Sequence, residues 1–159
     1  MKRLTLLATG AAMLFATVGP MAAAQAADGP AAAPRAAAAA AEDGRLHAWA
    51  DPYQRGAHCS WSGNKRDWDY GDDGVTGNCE PMRNRASSLE NRGFAGGYDD
   101  VDLYYNQDQS GVYACLGHGD AWLDLSGGDY IFNNGLWWWE GKNESVNNNI
   151  SSHSWTDGC

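Results

Sequence analysis

The sequence predicts an all-β domain, built as a sandwich of short antiparallel strands. Apolar and polar side chains alternate at residues 101–105 and 121–125, and alternation at every second residue is the pattern of a half-buried strand. Clusters of Gly, Asn and Asp, which favour turns, separate the apolar runs at residues 71–74, 96–97, 127–128 and 133–135. No long segment has the 3.6-residue repeat of an amphipathic helix. Together these patterns favour a sandwich.

Residues 1–26 have the composition of an export signal. Lys2 and Arg3 form a basic start, residues 4–18 form an apolar run, and residues 24–26 form a small-x-small cleavage pattern. The apolar run is short for a membrane span, and a retained N-terminal anchor is the alternative. We therefore expect a secreted, extracellular protein.

The next segment, residues 27–43, has the composition of a disordered tether. It is rich in alanine, contains Pro30 and Pro34, and has no large apolar side chain that could enter a core. The remaining chain, residues 44–159, has the length of a single domain.

The chain is acidic, and its charge restricts the partners that it can bind. Its 20 Asp and Glu residues exceed its 11 Lys and Arg residues, and the net charge is −9. Without Lys2 and Arg3 of the predicted signal, the net charge becomes about −11. Such a charge repels nucleic acid and anionic lipid, so we expect neither nucleic acid nor a membrane as a partner. Divalent cations or a basic protein remain compatible with it.

Four cysteines lie in the exported part of the chain. An even number in an oxidising compartment indicates two disulfides. Three pairings are possible, and we favour one bridge in each half, Cys59–Cys79 and Cys115–Cys159. Each bridge would stabilise the fold by about 3 kcal/mol on the chain-entropy model. The alternative is a zinc site, although no Cys-x₂-Cys pair is present, with the ligands His58, Cys59, Cys115 and His118.

An internal repeat divides the domain into two halves. An aromatic residue precedes a glycine by seven positions in each half, in the pairs Trp49–Gly56 and Tyr104–Gly111, which are offset by 55 residues. An Asn-x-x-Ser-Ser element follows in each half, at residues 84–88 and 148–152. In such a unit the glycine allows a tight hairpin, and the Ser-Ser element holds the hairpin through its hydroxyl groups. We expect two such four-stranded units to pack face to face around one core.

The repeat resembles the signature of the βγ-crystallin Greek key, an aromatic-x₆-Gly segment followed by Asn/Asp-Asn/Asp-x-x-Ser/Thr-Ser. Residues 99–126, 82–88 and 145–152 are similar to segments of the secreted family grouped with the actinobacterial metalloproteinase inhibitor. The resemblance implies a βγ-crystallin-like sandwich, with Greek keys at about residues 46–95 and 99–159. It also implies inhibition of thermolysin-like peptidases. The founding inhibitor carries its reactive bond in a Cys-x₄-Cys loop, which this sequence lacks, so no reactive residue is carried over.

The resemblance further implies Ca²⁺, because paired βγ-crystallin motifs exchange oxygen ligands for two ions, and oxygen ligands suit this cation. The second motif matches at every position, whereas the first has Arg83 in place of Asn or Asp, so we expect one site to be weak or lost. The candidate ligands are Asn84, Ser87, Asn147, Asn148 and Ser151. The alternative is that the serines of both motifs, including Ser88 and Ser152, only hold the fold by hydrogen bonds.

Two loops are candidates for contact with a partner. Residues 65–76 lie inside the favoured Cys59–Cys79 bridge, and residues 129–143 lie inside the Cys115–Cys159 bridge. The second loop carries a bulky apolar run that a thermolysin-like enzyme would favour, namely Leu136, Trp137, Trp138 and Trp139. Three consecutive tryptophans cannot all face one side of a strand, so at least one is expected to be exposed, where it could stack on a sugar ring. The alternative is packing in the core.

The sequence predicts no enzyme, because its four histidines are scattered and no serine-hydrolase, zinc-peptidase or phosphate-binding motif occurs. The leading hypothesis is a secreted, monomeric peptidase inhibitor of extracellular metalloproteases. The alternative is a calcium-stabilised extracellular module that binds carbohydrate or cell-wall material without inhibiting a peptidase.

Overall fold

The computed structural model describes residues 40–69, 79 and 81–159, and it confirms the all-β prediction. Within these ranges there are seven strands and one short 3₁₀ turn, Gln107–Gln109. The strands are β1 Arg45–Asp51, β2 Arg55–Trp61, β3 Ser88–Arg92, β4 Asp100–Tyr104, β5 Tyr113–Leu116, β6 Ala121–Trp122 and β7 Ser152–Thr156. No helix in this part of the chain is long and apolar enough to cross a membrane. The predicted signal peptide and most of the predicted tether lie outside the described residues.

The strands form two antiparallel sheets, and each half of the chain contributes to both. The first sheet has the order β2-β1-β3-β6, and the second has the order β5-β4-β7. Strand β6 belongs to the second half of the sequence, yet it pairs with β3 through Leu89 and Trp122. In return, Lys65 of the first half forms a bridge with His153 of β7. The two expected units therefore exchange segments, because β6 of the second half extends the first sheet and the segment at Lys65 of the first half pairs with β7.

The hydrophobic core lies between the two sheets. In β1 and β4 the apolar residues at alternate positions are fully buried, Leu46 and Ala48 in one strand and Val101 and Leu103 in the other. Further buried core side chains include Trp61, Trp68, Leu116, Phe132 and Ile150. Burial of each large apolar side chain contributes about 1.5–3 kcal/mol, so this set supplies the main driving force for folding.

A hydrogen-bonded chain runs from the buried Trp68 through His153 to Gly63 at the surface. Trp68 Nε1 donates to His153 Nδ1 at 2.8 Å, and His153 Nε2 lies 2.9 Å from the carbonyl oxygen of Gly63. Because an indole nitrogen only donates and a carbonyl only accepts, His153 is the neutral tautomer with its proton on Nε2. The two bonds hold the first-half segment between Gly63 and Trp68 against β7.

Strand β6 is shorter than the alternation at residues 121–125 predicts. It comprises only Ala121 and Trp122, and its register with β3 places Trp122 opposite Leu89 on the core side. Leu125 is also fully buried, because the chain turns after β6 and its amide then bonds to the carbonyl of Ser87. Alternation therefore identifies a strand here, but the strand ends at Trp122, before the alternating run does.

Both disulfides have the pairing that the sequence analysis favours. Cys59 of β2 bonds to Cys79, and Cys115 of β5 bonds to Cys159. The zinc alternative is wrong, because a sulfur atom in a disulfide is not available as a thiolate ligand. Two disulfides fit an extracellular protein.

Candidate functional site

The two halves of the chain close their first hairpins with the same backbone. Each hairpin holds two consecutive residues in the left-handed region, Tyr53-Gln54 in the first half and Asp108-Gln109 in the second. A glycine with a positive φ follows each pair, Gly56 at 79° and Gly111 at 84°. A Cβ atom at Gly56 would lie 2.6 Å from the carboxylate of Asp51, so this turn requires glycine.

The last serine of each Asn-x-x-Ser-Ser element holds the hairpin of its own half. The Ser88 hydroxyl donates to the carbonyl oxygen of Asp51 at 2.8 Å and accepts from the amide of Gln54 at 3.0 Å. Ser152 makes the two equivalent bonds in the second half, at 2.6 and 3.0 Å. Both serines are fully buried, and each hydroxyl pairs with two backbone groups of a half-buried hairpin turn. The predicted role of the Ser-Ser element is confirmed at these two positions.

The first serine of each element reaches across to the other half. The Ser87 hydroxyl donates to Asn148 Oδ1 at 3.3 Å, and the Ser151 hydroxyl donates to Asn84 Oδ1 at 3.2 Å. Both asparagines have a backbone in the left-handed region, and the backbone N–H of each donates to a backbone carbonyl of the opposite element. Four of the five predicted calcium ligands therefore meet as two reciprocal Asn–Ser pairs.

The fifth predicted ligand, Asn147, differs sharply from Arg83, which stands at the same position of the first element. The Oδ1 atom of Asn147 is buried and has no hydrogen-bond partner among the described residues. The guanidinium of Arg83 lies 3.0 Å from the carboxylate of Asp67 and 3.6 Å from that of Asp69. A single positive group thus offsets part of the negative charge of the two acidic side chains beside the first element.

Calcium would fit these two places unequally. The unpaired oxygen of Asn147, together with Asn148 and Ser87, provides uncharged oxygen atoms of the kind that a hard cation accepts. The first element does not fit an ion, because Arg83 brings a positive charge beside the oxygen atoms that would bind it. The expectation of unequal sites is consistent with this geometry, and calcium binding itself stays a prediction.

The tip of the second candidate loop, residues 136–139, is exposed. Trp137 is 79% exposed and Trp138 is 60% exposed, and their rings stand perpendicular to each other at 5.4 Å. Trp139 is 39% exposed and its ring lies against Gly135. A hydrogen bond of 3.0 Å from the amide of Trp139 to the carbonyl of Leu136 closes the tip as a turn. The alternative of core packing for the three tryptophans is wrong.

A braced neck holds this tip in place. Ile131 pairs with Ser145 across the neck, and Asn134 pairs with Tyr113 of β5. The ammonium group of Lys142 donates to two backbone carbonyls at the base of the tip. A loop that is tied by so many bonds presents its tryptophans with little ordering cost on binding.

Two histidines and an aspartate form a hydrogen-bonded network on the outer face of the first sheet, and the sequence did not predict it. His47 Nε2 lies 2.9 Å from the carboxylate of Asp43, and His47 Nδ1 lies 2.9 Å from His58 Nε2. Because a carboxylate accepts, neutral His47 carries its proton on Nε2 and accepts at Nδ1 from His58. Burial lowers the pKa of His47, and burial together with the neighbouring His47 lowers the pKa of His58 to about 4. The contact depends on the pairing of β1 with β2, which no sequence spacing reveals.

The same outer positions of the second sheet carry an acid and two tyrosines. Fifty-five positions after His47, Trp49 and His58 stand Asp102, Tyr104 and Tyr113. The paired rings follow this correspondence, with Trp49 and His58 at 4.6 Å and Tyr104 and Tyr113 at 5.5 Å. Burial raises the pKa of Asp102 to about 6. The two sheets therefore share an arrangement and differ in its chemistry.

No family model and no curated protein matches the sequence. Among solved structures, a domain studied for the evolution of the eye lens βγ-crystallin fold is similar at 15% identity and a TM-score of 0.47, covering 77% of this chain and 94% of that chain. An archaeal βγ-crystallin is similar at 14% identity and a TM-score of 0.44, covering 70% and 95%. A βγ-crystallin domain from Clostridium beijerinckii is similar at 13% identity and a TM-score of 0.41, covering 69% and 94%.

The chain has a βγ-crystallin-like fold. Its own topology shows this, through the segment that each half pairs with the sheet of the other and through the reciprocal Asn–Ser pairs.

Proposed function

We propose that this domain is an extracellular binding module, with residues 136–139 as its contact surface and a neutral carbohydrate as its ligand. The observation that carries the proposal is the exposure of Trp137 and Trp138 at the tip of a braced loop. Tryptophan is enriched among the residues that dominate binding energy, and two adjacent exposed indole rings form an apolar surface that a partner would cover.

Carbohydrate suits the chemistry of this tip. The apolar C–H face of a sugar ring can lie on an indole ring, while its hydroxyl groups reach polar side chains. Exposed polar residues flank the tip on both sides, at Asn133, Glu140 and Asn143. The net charge of −9 disfavours acidic polysaccharides, so the expected ligand is neutral.

Affinity electrophoresis of the purified protein in gels that contain neutral polysaccharides tests this proposal. We expect retardation in at least one such gel, and a loss of affinity of about tenfold or more in Trp137→Ala, as for a residue at the centre of an interface. Tyr98→Ala is the matched control, because Tyr98 is 70% exposed and lies outside the tip. Unretarded migration of the native protein, or equal retardation of Trp137→Ala, would overturn the proposal.

Inhibition of a secreted metallopeptidase, which the family resemblance implies, is the second candidate. The Cys59–Cys79 disulfide favours it, because the bridge closes a segment of 20 positions, and an inhibitor needs a loop held rigid in its binding form. The candidate loop at residues 65–76 lies outside the described residues beyond residue 69. The tip at residues 136–139 suits this role less well, because it is closed as a turn and a peptidase cleft holds an extended chain.

Titration of calcium-loaded thermolysin with the purified, oxidised protein tests the second candidate. Stoichiometric inhibition would support it, and mass spectrometry would then locate a slowly cleaved bond. Full peptidase activity at micromolar concentrations of the protein would leave carbohydrate binding as the function to pursue.

A further inference from the structure

The sandwich is open along one side, beside the neck of the tryptophan loop. Strand β5 is an edge of the second sheet, and β6 is an edge of the first. A groove of about 120 Å³ lies at this opening, between Cys115 of β5, Trp122 of β6 and the segment 129–133. At roughly 30 Å³ per water molecule, this volume holds about four waters, so the groove suits part of a small polar ring rather than a large apolar ligand. We call it the seam groove.

One wall of the seam groove is aromatic. Trp122 and Tyr130 stack at a ring separation of 4.5 Å with their planes 24° apart, and both line the groove. Each ring is half-buried, with one side packed against the core. The remaining surface of this pair is open to a ligand in the groove.

The other walls offer hydrogen-bonding groups. The exposed side chains of Asp129 and Asn133 stand at the rim. Along an antiparallel strand, every second residue directs its backbone N–H and C=O groups away from the partner strand. In the β4–β5 register, Tyr113 and Cys115 are residues of this kind, so their backbone groups point away from β4. The carbonyl of Tyr113 accepts from the amide of Asn134 at 3.0 Å, and the amide of Tyr113 donates to the carbonyl of Asn134 at 3.4 Å. The backbone amide and carbonyl of Cys115 face the same side, toward the groove. The groove thus combines an aromatic surface with a carboxylate, an amide and a strand edge.

The groove lies close to the tip along the chain. Asn133 lines the groove, and Leu136 begins the exposed tip three residues later, a span of at most about 11 Å. The charge around the groove is negative. Burial raises the pKa of Tyr130, and the nearby Asp129 and Asp120 raise it further, so an anionic ligand would meet repulsion here.

We propose that the seam groove is a second subsite for the ligand of the tryptophan tip, and that the ligand is a linear neutral oligosaccharide long enough to span both. This inference rests on the proposed function. One sugar unit lies on Trp137, and a unit several positions further along the chain enters the groove, where its hydroxyl groups bond to Asp129, Asn133 and the backbone of Cys115. A short sugar occupies the tip alone.

Isothermal titration of the purified protein with neutral oligosaccharides of two to six units tests the subsite, with β-linked glucose, N-acetylglucosamine and xylose series as probes. We expect affinity to rise about tenfold or more with chain length in the native protein. Asp129→Ala should abolish most of this gain and leave the affinity for the shortest ligand unchanged. The matched control is Asp157→Ala, which removes the same charge at another exposed position and should keep the gain.

The outcomes separate the subsite from the proposed function. A full gain with length in Asp129→Ala, or no gain in the native protein while Trp137→Ala still loses binding, would overturn the subsite alone. No binding of any probe would overturn both. As a second measurement, NMR chemical shifts of the Trp122 indole and the Cys115 amide should move with the six-unit ligand but not with the two-unit ligand, and unmoved shifts with both ligands would contradict the subsite.

Discussion

Ser88 in the first half and Ser152 in the second make the same pair of hydrogen bonds to their hairpins. Arg83 and Asn147 also occupy equivalent positions, but Arg83 forms an ion pair, whereas Asn147 has a buried oxygen without a hydrogen-bond partner among the described residues. The difference follows from what each side chain must satisfy. The serines are fully buried and each bonds to two backbone groups of its hairpin, so loss of the hydroxyl leaves both groups without that partner. Arg83 contacts only partly exposed carboxylates, and the fold does not depend on it in the same way. The two halves thus have the same residue at positions where a side chain must bond to the hairpin backbone.

The outer faces of the two sheets extend this comparison. The positions that hold His47 and His58 in the first sheet hold Asp102 and Tyr113 in the second. Each pair lies on the side of its sheet away from the core, where packing between the sheets places no demand on the residue type. The two faces therefore carry different titratable groups, a histidine whose pKa is lowered and an aspartate whose pKa is raised.

The largest effect is expected from removing the hairpin serines, which tests whether the two halves are equivalent in energy as well as in geometry. Ser88→Ala and Ser152→Ala each remove the partner of a partly buried carbonyl and a partly buried amide, and each should lower the free energy of unfolding by about 1–3 kcal/mol. Urea denaturation at 25 °C measures this loss. Ser110→Ala removes an exposed serine bond and should change stability by less than about 0.5 kcal/mol. A large loss for only one of the two buried serines would break the equivalence.

The outer faces predict opposite pH dependence, and this effect should be intermediate. An unfolded histidine protonates near pH 6.5 but folded His58 only near pH 4, so between these values the unfolded chain binds more protons and stability falls as pH decreases. The pKa of Asp102 is about 6 in the fold against 3.8 in its ordinary state, so the folded chain binds more protons in that window and stability rises as pH decreases.

Thermal unfolding of two variants between pH 7 and pH 4 separates these contributions. His58→Asn should show a smaller loss of melting temperature on acidification than the native protein. Asp102→Asn should be more stable than the native protein at pH 7, and this advantage should disappear toward pH 4. Parallel curves for either variant and the native protein would contradict the assignment for that residue.

The smallest effect is expected from Arg83→Asn, which makes the first element match the second. Without calcium, the variant should remain within about 1 kcal/mol of the native protein, because a partly exposed ion pair contributes little. With free calcium at ten times the dissociation constant, a restored site would add about 1.4 kcal/mol, seen as a rise in melting temperature beyond that of the native protein. Arg85→Asn, an exposed arginine in the same element, is the control. An equal calcium response in the native protein and Arg83→Asn would show that Arg83 does not determine the difference.

Much of the fold could be predicted from local patterns. The recurrence of an aromatic residue, a glycine and an Asn-x-x-Ser-Ser element at matching positions identified the two halves, because each element solves a local backbone problem that only a few residue types can solve. The alternation at Val101 and Leu103 identified β4 for the same reason. The length of β6 was predicted wrongly, because the alternating pattern continues to residue 125 whereas the strand ends at Trp122.

The candidate site could be predicted only in part. Exposure of at least one residue in the run Trp137–Trp139 followed from the geometry of a strand, but the exposure of all three depends on the turn that the structure forms there. The seam groove had no sequence signal, because Cys115, Trp122 and Tyr130 come together only when the edges of two different sheets meet. The histidine network likewise depends on strand register.

The sequence by itself determined the all-β class, the duplicated unit, the glycines and buried serines of the hairpins, and an aromatic run too bulky to face one side of a strand. These features are local, since each depends on backbone geometry within a few residues. The tertiary structure alone decided which sheet each strand joins, how Asn84 and Asn148 reach the serines of the opposite half, and where the groove opens beside the tryptophan tip. These features depend on contacts between residues far apart in the chain, and such contacts are set by the packing of the whole core rather than by any spacing along it.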